Sequence, residues 1–139
     1  MNRCVVLDAG ALTVLATDRS ERRSLEVRAA LRAATRLRPE VIVPAVILAE
    51  LYRGPRHNHI VDACLSRETG IRVRDTDRAL ARIVGGVLAA ANLGSTHLAD
   101  AHVIAVAVDS GGGLVLTTDP DDLGRLGATF GNVTVVDLS

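Results

Sequence analysis

Short apolar runs alternate along the chain with longer segments in which apolar residues recur at helical spacing. The first run, Cys4-Val5-Val6-Leu7, contains no polar residue, a pattern typical of a strand buried on both faces of a parallel sheet. The predicted strands are Cys4–Leu7, Val41–Val43, Ile71–Val73, Leu114–Leu116 and Val133–Val136. Strands that alternate with helices predict a single α/β domain over residues 1–139, with a central parallel sheet of four to five strands flanked by helices on both faces.

Helix start and stop signals divide the sequence between the strands. Ser20, Thr76 and Thr96 are predicted to cap helices, and Pro44 fits the first turn of another. The segment that follows Thr96, residues 101–108, is apolar almost all round, which predicts a buried central helix. The other predicted helices cover residues 11–16, 20–38, 60–65 and 76–91.

Acidic residues occur where these elements end or begin. Asp8 directly follows the first strand, and Asp119 follows the fourth. Ligands of open α/β sheets bind outside the carboxyl ends of the strands, so both carboxylates are predicted to face a binding crevice. Glu50 and Asp100 are predicted to lie early in helices that pack against the same sheet. The sequence therefore predicts that four carboxylates meet at one edge.

Four carboxylates in one crevice require neutralisation. At an effective dielectric near 20, two charges about 6 Å apart repel by about 3 kcal/mol. A cluster of this kind needs protons or a divalent cation, and ligands that are all oxygen favour Mg²⁺ or Mn²⁺ over zinc. Such a cation can activate water and stabilise charge on a phosphodiester. Metal-dependent phosphoryl hydrolysis is the predicted chemistry.

Each acid also has a structural alternative. Asp119 precedes Pro120 and could cap a short helix, Asp100 could complement a helix dipole, and Glu50 could pair with Arg53. Singly these uses of an acid are common, whereas the four together favour a functional site.

Composition removes several other functions. The sixteen basic residues balance the sixteen acidic ones, which argues against indiscriminate binding of nucleic acid. All sixteen are arginine, so the lysine-dependent P-loop NTPases, Schiff-base enzymes and protein kinases are excluded. Cys4 and Cys64 have no metal-binding spacing and are expected to be buried thiols. No apolar run approaches a membrane span, and we expect a soluble cytoplasmic protein.

Four segments together resemble the PIN domain, and in particular the VapC-type toxins of bacterial toxin-antitoxin pairs. They are Val-Val-Leu-Asp8-Ala-Gly-Ala-Leu, Leu-Ala-Glu50-Leu-Tyr-Arg-Gly, Leu-Ala-Asp100-Ala-His-Val-Ile-Ala and Leu-Thr-Thr-Asp119-Pro-Asp-Asp-Leu. The resemblance extends over essentially the whole chain. Gly10 departs from the family pattern, in which serine, threonine or asparagine is common at this position.

The resemblance implies an Mg²⁺- or Mn²⁺-dependent endoribonuclease that a cognate VapB-type antitoxin inhibits and that forms a homodimer. It implies that the catalytic acids are Asp8, Glu50, Asp100 and Asp119. Asp8, Asp100 and Asp119 would hold the metal. Auxiliary roles would fall to Thr118, Asp121 and Asp122. His97 and His102 flank Asp100, and either could touch substrate or metal.

RNA would have to be held mainly by arginines, because Tyr52 and Phe130 are the two aromatic residues and provide no stacking platform. The candidates are Arg28, Arg32, Arg53 and Arg56. Arg28, Arg32 and Arg36 recur every four residues and are expected to form one basic stripe, which could equally be a solvated helix face.

Two other classes compete with the nuclease. Phosphotransfer receivers and haloacid-dehalogenase-type phosphatases also place an aspartate after the first strand, but each normally uses a lysine, which this chain lacks. A non-catalytic PIN-like module that binds RNA or protein is the remaining alternative. Its weakness is that four acids would bring such a module only repulsion.

Overall fold

The computed structural model of this chain describes residues 4–17, 22–36, 40–68 and 70–139. The described residues form five strands, β1 to β5 in chain order: Cys4–Leu7, Glu40–Pro44, Ile71–Arg74, Gly113–Thr117 and Val133–Asp137. They form one sheet in the order β3-β2-β1-β4-β5, and every neighbouring pair is parallel. The predicted fold class is confirmed, and β1 is the central strand.

The helices that the structure describes lie between consecutive strands along the chain. In chain order, α1 to α7 are Ala9–Ala16, Arg22–Thr35, Ala45–Leu51, Pro55–Arg67, Arg78–Ala91, Leu98–Asp109 and Pro120–Gly127. Chain direction and strand order explain how they are distributed. From β1 to β3 the chain moves toward one edge of the sheet, and from β3 to β5 it moves toward the other. Because parallel crossovers are right-handed, α1 to α4 and α5 to α7 cover opposite faces.

The change of direction marks the position of a crevice. The chain leaves β1 on one face of the sheet and enters β4, the neighbour of β1, from the other face. In open α/β sheets, binding sites form outside the carboxyl ends of the two strands at such a point. The crevice at the ends of β1 and β4 is therefore the place where function is expected.

Burial confirms the predicted layers. All four residues of β1 are buried, and seven consecutive residues of α6, 101–107, are buried as well. The helix is thus central, as its apolar circumference predicts.

Cys4 and Cys64 are buried free thiols, as expected, and burial raises the pKa of both. In the part of the chain that is described, no helix combines the length and apolarity required to cross a bilayer.

Several predicted helix boundaries are wrong. Asp77, not Thr76, caps α5, because its carboxylate accepts a hydrogen bond of 2.8 Å from the Leu80 amide. Thr96 lies in a 3₁₀ turn, Ser95–His97, ahead of α6. Pro44 ends β2 and precedes α3.

Two other helices begin or continue differently from the prediction. The helix predicted at residues 60–65 begins at Pro55, directly after Gly54, whose φ of 105° suits glycine. The predicted cap at Ser20 and the predicted helix end near Arg38 lie outside the described residues.

The predicted basic stripe on α2 is not a single surface. Arg28 is buried, its guanidinium forms an ion pair with Glu68, and Nη2 donates a 2.8 Å hydrogen bond to the Leu15 carbonyl oxygen. Arg28 therefore joins α1, α2 and the end of α4. The burial of Arg28 disfavours the predicted RNA contact at this residue, because its guanidinium is enclosed by protein, whereas Arg32 and Arg36 are exposed.

Candidate active site

Asp8 lies at the end of the central strand, beside β4. Its amide donates a hydrogen bond of 3.3 Å to the Leu116 carbonyl oxygen of β4. Its Oδ1 accepts a hydrogen bond of 2.8 Å from the Ala11 amide, so Asp8 is also the N-cap of α1. The carboxylate is held by the strand on one side and the helix on the other, and it is buried with 7% of its surface exposed.

Thr117 is a site residue that the sequence analysis missed. Its hydroxyl donates to Asp8 Oδ2 and accepts a hydrogen bond of 2.9 Å from the Asp119 amide. It therefore joins the acid that ends β1 to the acid that follows β4. The parallel register, in which Leu7 pairs with Leu116, brings Thr117 opposite Asp8 and is the signal that could have identified it.

Opposing effects act on the pKa of Asp8. Burial raises the pKa above its ordinary value, the hydrogen bonds from Thr117 and Ala11 lower it, and the charge of Asp119 raises it. Burial outweighs the hydrogen bonds, so the pKa is raised overall. The electrostatic effect of Asp119 indicates that these two acids share one environment.

Asp100 brings further acids into the same environment. It is half-buried in the first turn of α6, at the edge where β1 and β4 end. Burial and the charges of Asp122, Asp8 and Glu50 raise the pKa of Asp100 to about 6, against a lowering effect of His97. Carboxylates from α7, α3 and the end of β1 thus act on Asp100, and two of them, Asp8 and Glu50, belong to the group predicted from the sequence.

The structural alternatives for Glu50 and Asp119 are not realised. Asp119 occupies the N-cap position of α7, but its side chain makes no capping hydrogen bond. Glu50 is exposed in the last turn of α3, not early in the helix as predicted. Arg53, its candidate partner, instead donates hydrogen bonds to the Ala49 and Tyr52 carbonyl oxygens. Neither the predicted helix cap nor the predicted ion pair with Arg53 therefore accounts for these two carboxylates.

The remaining candidates divide into near and distant groups. Asp122 lies near Asp100, and its Oδ1 is 3.7 Å from His97 Nε2 and 3.8 Å from Arg125 Nη1. Asp121 is exposed on the first turn of α7, outside this network. The ring of His102 is buried, and its Nδ1 lies 2.8 Å from the Leu98 carbonyl oxygen, a contact within α6.

The acids form a loose group. Within the described ranges, no three His, Cys, Asp or Glu side chains lie close enough together to form a ready-made metal site. The donors nevertheless suit a hard cation, because they are carboxylate oxygens whose charges raise the pKa of Asp100. Burial and the neighbouring negative charges together keep this pKa raised, although His97 acts in the opposite direction.

The family of the chain follows from its sequence. Residues 5–128, most of the chain, match the family model of the PIN domain. The chain belongs to the PIN-domain family. No curated protein sequence matches it.

The PIN domain is similar to solved structures at low sequence identity. A toxin-antitoxin complex from Klebsiella pneumoniae is 19% identical with a TM-score of 0.68, over 97% of this chain and 98% of that chain. DNA-bound VapBC from Salmonella typhimurium is 16% identical with a TM-score of 0.68, over 100% of both chains. VapC20 from Mycobacterium tuberculosis, described as a sarcin-ricin loop cleaving toxin, is 17% identical with a TM-score of 0.65, over 91% of this chain and 95% of that chain. The TM-scores show that these structures share the fold of this chain.

A cleft in the PIN domain adjoins Glu50, one of the four predicted catalytic acids. It has a volume of about 380 Å³ and lies between α1, the end of α3 and α4. Glu50 lies in its wall, with Arg53 and His57 nearby and apolar side chains such as Ile60 completing the lining. Arg53 and Arg56 are both exposed, so two of the predicted RNA-contacting arginines are accessible on this side of the domain.

Replacing Thr117 with valine is expected to destabilise the PIN domain by about 1–3 kcal/mol, because the buried Asp8 carboxylate and the Asp119 amide each lose a hydrogen-bond partner. Valine has the shape of threonine, so the change isolates the hydroxyl. Urea unfolding measures the effect, with Thr134→Val at an exposed position of β5 as the control. Equal stability of the two variants would show that the Thr117 hydroxyl contributes nothing.

Proposed function

We propose that this PIN domain is an Mg²⁺- or Mn²⁺-dependent endoribonuclease and the toxin of a toxin-antitoxin pair. The main support is the position of Asp100, half-buried at one edge of the sheet, where burial and then the charges of Asp122, Asp8 and Glu50 raise its pKa. Mutually repelling acids are unfavourable for the fold, so their position at a crevice favours a functional use. Membership of the PIN-domain family and the toxin-antitoxin complexes with the same fold add to this support.

Asp8, Asp100 and Asp119 would hold the cation, with Glu50 as the fourth catalytic acid. When bound, Mg²⁺ or Mn²⁺ would activate water and stabilise the charge that develops on the phosphodiester. The residues of the chain prepare this site. Thr117 and the Ala11 amide orient the two oxygens of Asp8, so its carboxylate requires little rearrangement.

The arginines near the cleft would supply the attraction for RNA. Arg53 lines the cleft together with Glu50, and Arg53 and Arg56 are both exposed, so both can bind phosphate groups. Arg32, exposed on α2, is a third candidate. Removal of Arg53 and Arg56 should weaken RNA binding at low salt more than at high salt, because such contacts release counterions.

The partner of the toxin would be a VapB-type antitoxin. Solved structures that share the fold are described as a toxin-antitoxin complex and as VapBC bound to DNA, which supports an antitoxin partner for this chain. We also propose that the toxin forms a homodimer and acts in the cytoplasm.

Addition of Mn²⁺ is expected to raise the Tm of the metal-free protein. A ligand at one hundred times its Kd stabilises the folded state by about 2.7 kcal/mol. For a domain of this size, this corresponds to a Tm increase of several degrees. Differential scanning fluorimetry measures it, and Asp119→Asn should reduce the increase, whereas Asp121→Asn should leave it intact. An identical response in all three proteins would count against a cation at the acid group.

The function is tested by mapping new 5′ ends in total cellular RNA after incubation with purified protein. Reactions contain Mg²⁺, Mn²⁺ or chelator, and Asp8→Asn serves as the inactive control. Discrete cleavages that require both metal and Asp8 would establish the nuclease and identify its target. A folded protein that cleaves no RNA under any of these conditions would instead be the non-catalytic binding module.

A further inference from the structure

The Thr118 side chain occupies space that a side chain at position 10 would fill. A β-carbon built on Gly10, in the first turn of α1, would lie 2.1 Å from Thr118 Oγ1 and 3.3 Å from Thr118 Cβ. It would also lie 3.5 Å from Asp8 Oδ1. Since a real β-carbon does not approach an oxygen to 2.1 Å, a side chain at position 10 would displace the Thr118 hydroxyl from the position that it occupies in the structure.

The presence of glycine at position 10 is explained by the space available there and not by the backbone conformation. Gly10 is not among the glycines with positive φ, so its conformation is open to any residue. Inside a helix, glycine is about 1 kcal/mol less favourable than alanine. Glycine nevertheless occupies position 10, in the turn of α1 that lies against Thr118.

The Thr118 hydroxyl differs from its neighbour in having unused hydrogen-bonding capacity. Thr117 is fully buried and bonds both Asp8 and Asp119. Thr118 is half-buried, and within the described part of the chain its hydroxyl makes no hydrogen bond. A polar group beside Asp8 with one face open to solvent can bind an incoming molecule.

We propose that Thr118 contacts the RNA substrate, donating its hydroxyl to a phosphate oxygen beside Asp8, and that Gly10 is required to admit this hydroxyl. The proposal rests on the nuclease function proposed above. Threonine hydroxyls commonly bind phosphate oxygens of nucleic acids. A contact made equally to bound substrate and to the transition state affects KM and leaves kcat nearly unchanged.

The steric part is tested by thermal unfolding of Gly10→Ala, Thr118→Ala and the double variant. Gly10→Ala is expected to lower the Tm by several degrees in the presence of Thr118. The double variant is expected to recover to within about 2 °C of wild type, because alanine favours helix once the clash is absent. Gly85→Ala, where a β-carbon would meet nothing within 4 Å, is the control and should not lower the Tm. Equal Tm losses from Gly10→Ala with and without Thr118 would overturn the exclusion.

The substrate contact is tested by steady-state cleavage of an RNA that the wild-type protein cuts. Thr118→Ala is expected to raise KM about tenfold with kcat changed less than threefold, and Thr118→Ser should restore KM. The double variant should regain its Tm while KM stays high, which separates the hydroxyl from packing. An unchanged KM, or a loss confined to kcat, would overturn the contact. If wild type cleaves no RNA, the proposed function fails, while the Tm comparison still decides the exclusion.

Discussion

Replacement of Asp100 with asparagine is expected to reduce the rate of RNA cleavage at least a hundredfold while raising the Tm of the metal-free protein by about 3 °C. The rate falls because an amide oxygen is a weaker ligand for a hard cation and carries no charge to hold it. The Tm rises because a neutral amide avoids the cost of burying a charge and is no longer repelled by Asp122, Asp8 and Glu50. Single-turnover cleavage and scanning fluorimetry in chelator measure the two effects.

These opposite effects separate a catalytic acid from a structural one. An acid that mainly pairs with arginine, as Asp77 does with Arg74 at 3.6 Å, would lose that pairing on conversion to asparagine. Asp77, the cap of α5, provides the matched control, and Asp77→Asn should leave cleavage near the wild-type rate. A normal cleavage rate in Asp100→Asn would remove Asp100 from the catalytic group.

The pH dependence of stability follows from the same acid. The pKa of Asp100 is about 6 in the folded protein and 3.8 as the ordinary value, so the folded state binds the proton more tightly. The stability of the metal-free protein should therefore fall as pH rises from about 4 to about 6 through this group. After discounting for solvent screening, the expected loss is about 1 kcal/mol, and Asp100→Asn should abolish it. Urea unfolding at several pH values tests the sign.

Replacement of Arg28 with alanine is expected to destabilise the domain by about 3 kcal/mol, or about 10 °C in Tm. The change removes the Arg28 ion pair of Glu68, which is 24% exposed and keeps Arg67 at 3.7 Å, and it removes a hydrogen bond to the Leu15 carbonyl oxygen. Part of the loss is offset because Arg67 also donates to Leu15, at 3.0 Å.

The matched control is Arg36→Ala, an exposed arginine directly after α2, which should change stability by less than about 0.5 kcal/mol. Urea unfolding compares the two variants. If Arg28→Ala were as stable as Arg36→Ala, the buried ion pair would contribute nothing to the junction of α1, α2 and α4.

The strands and the acids that follow them were open to prediction from sequence. An apolar run that ends in a carboxylate identifies both the end of β1 and Asp8, because strand burial and strand termination are local properties. Beside burial, the charges of Asp122, Asp8 and Glu50 raise the pKa of Asp100. These acids lie on elements that the alternation of strands and helices brings to one edge of the sheet.

The errors occurred where the answer depends on packing between distant segments. Thr117 and Thr118 are adjacent and chemically alike, so only the register of β4 against β1 decides which one binds Asp8. The spacing of Arg28 and Arg32 places them on one side of α2, but it does not predict which of them is buried. Arg28 is buried because α1 and the end of α4 pack against it, whereas Arg32 is exposed.

The two roles of Asp8 bear on how the protein can change during evolution. Its Oδ1 caps α1 and its Oδ2 binds Thr117, whereas the charge of Asp100 is disfavoured by burial and by the repulsion of other acids. Loss of Asp8 therefore removes activity and part of the fold together, while loss of Asp100 removes activity and relieves strain on the fold. Inactive descendants that still fold, and could still occupy a partner, are expected to arise through Asp100 more readily than through Asp8.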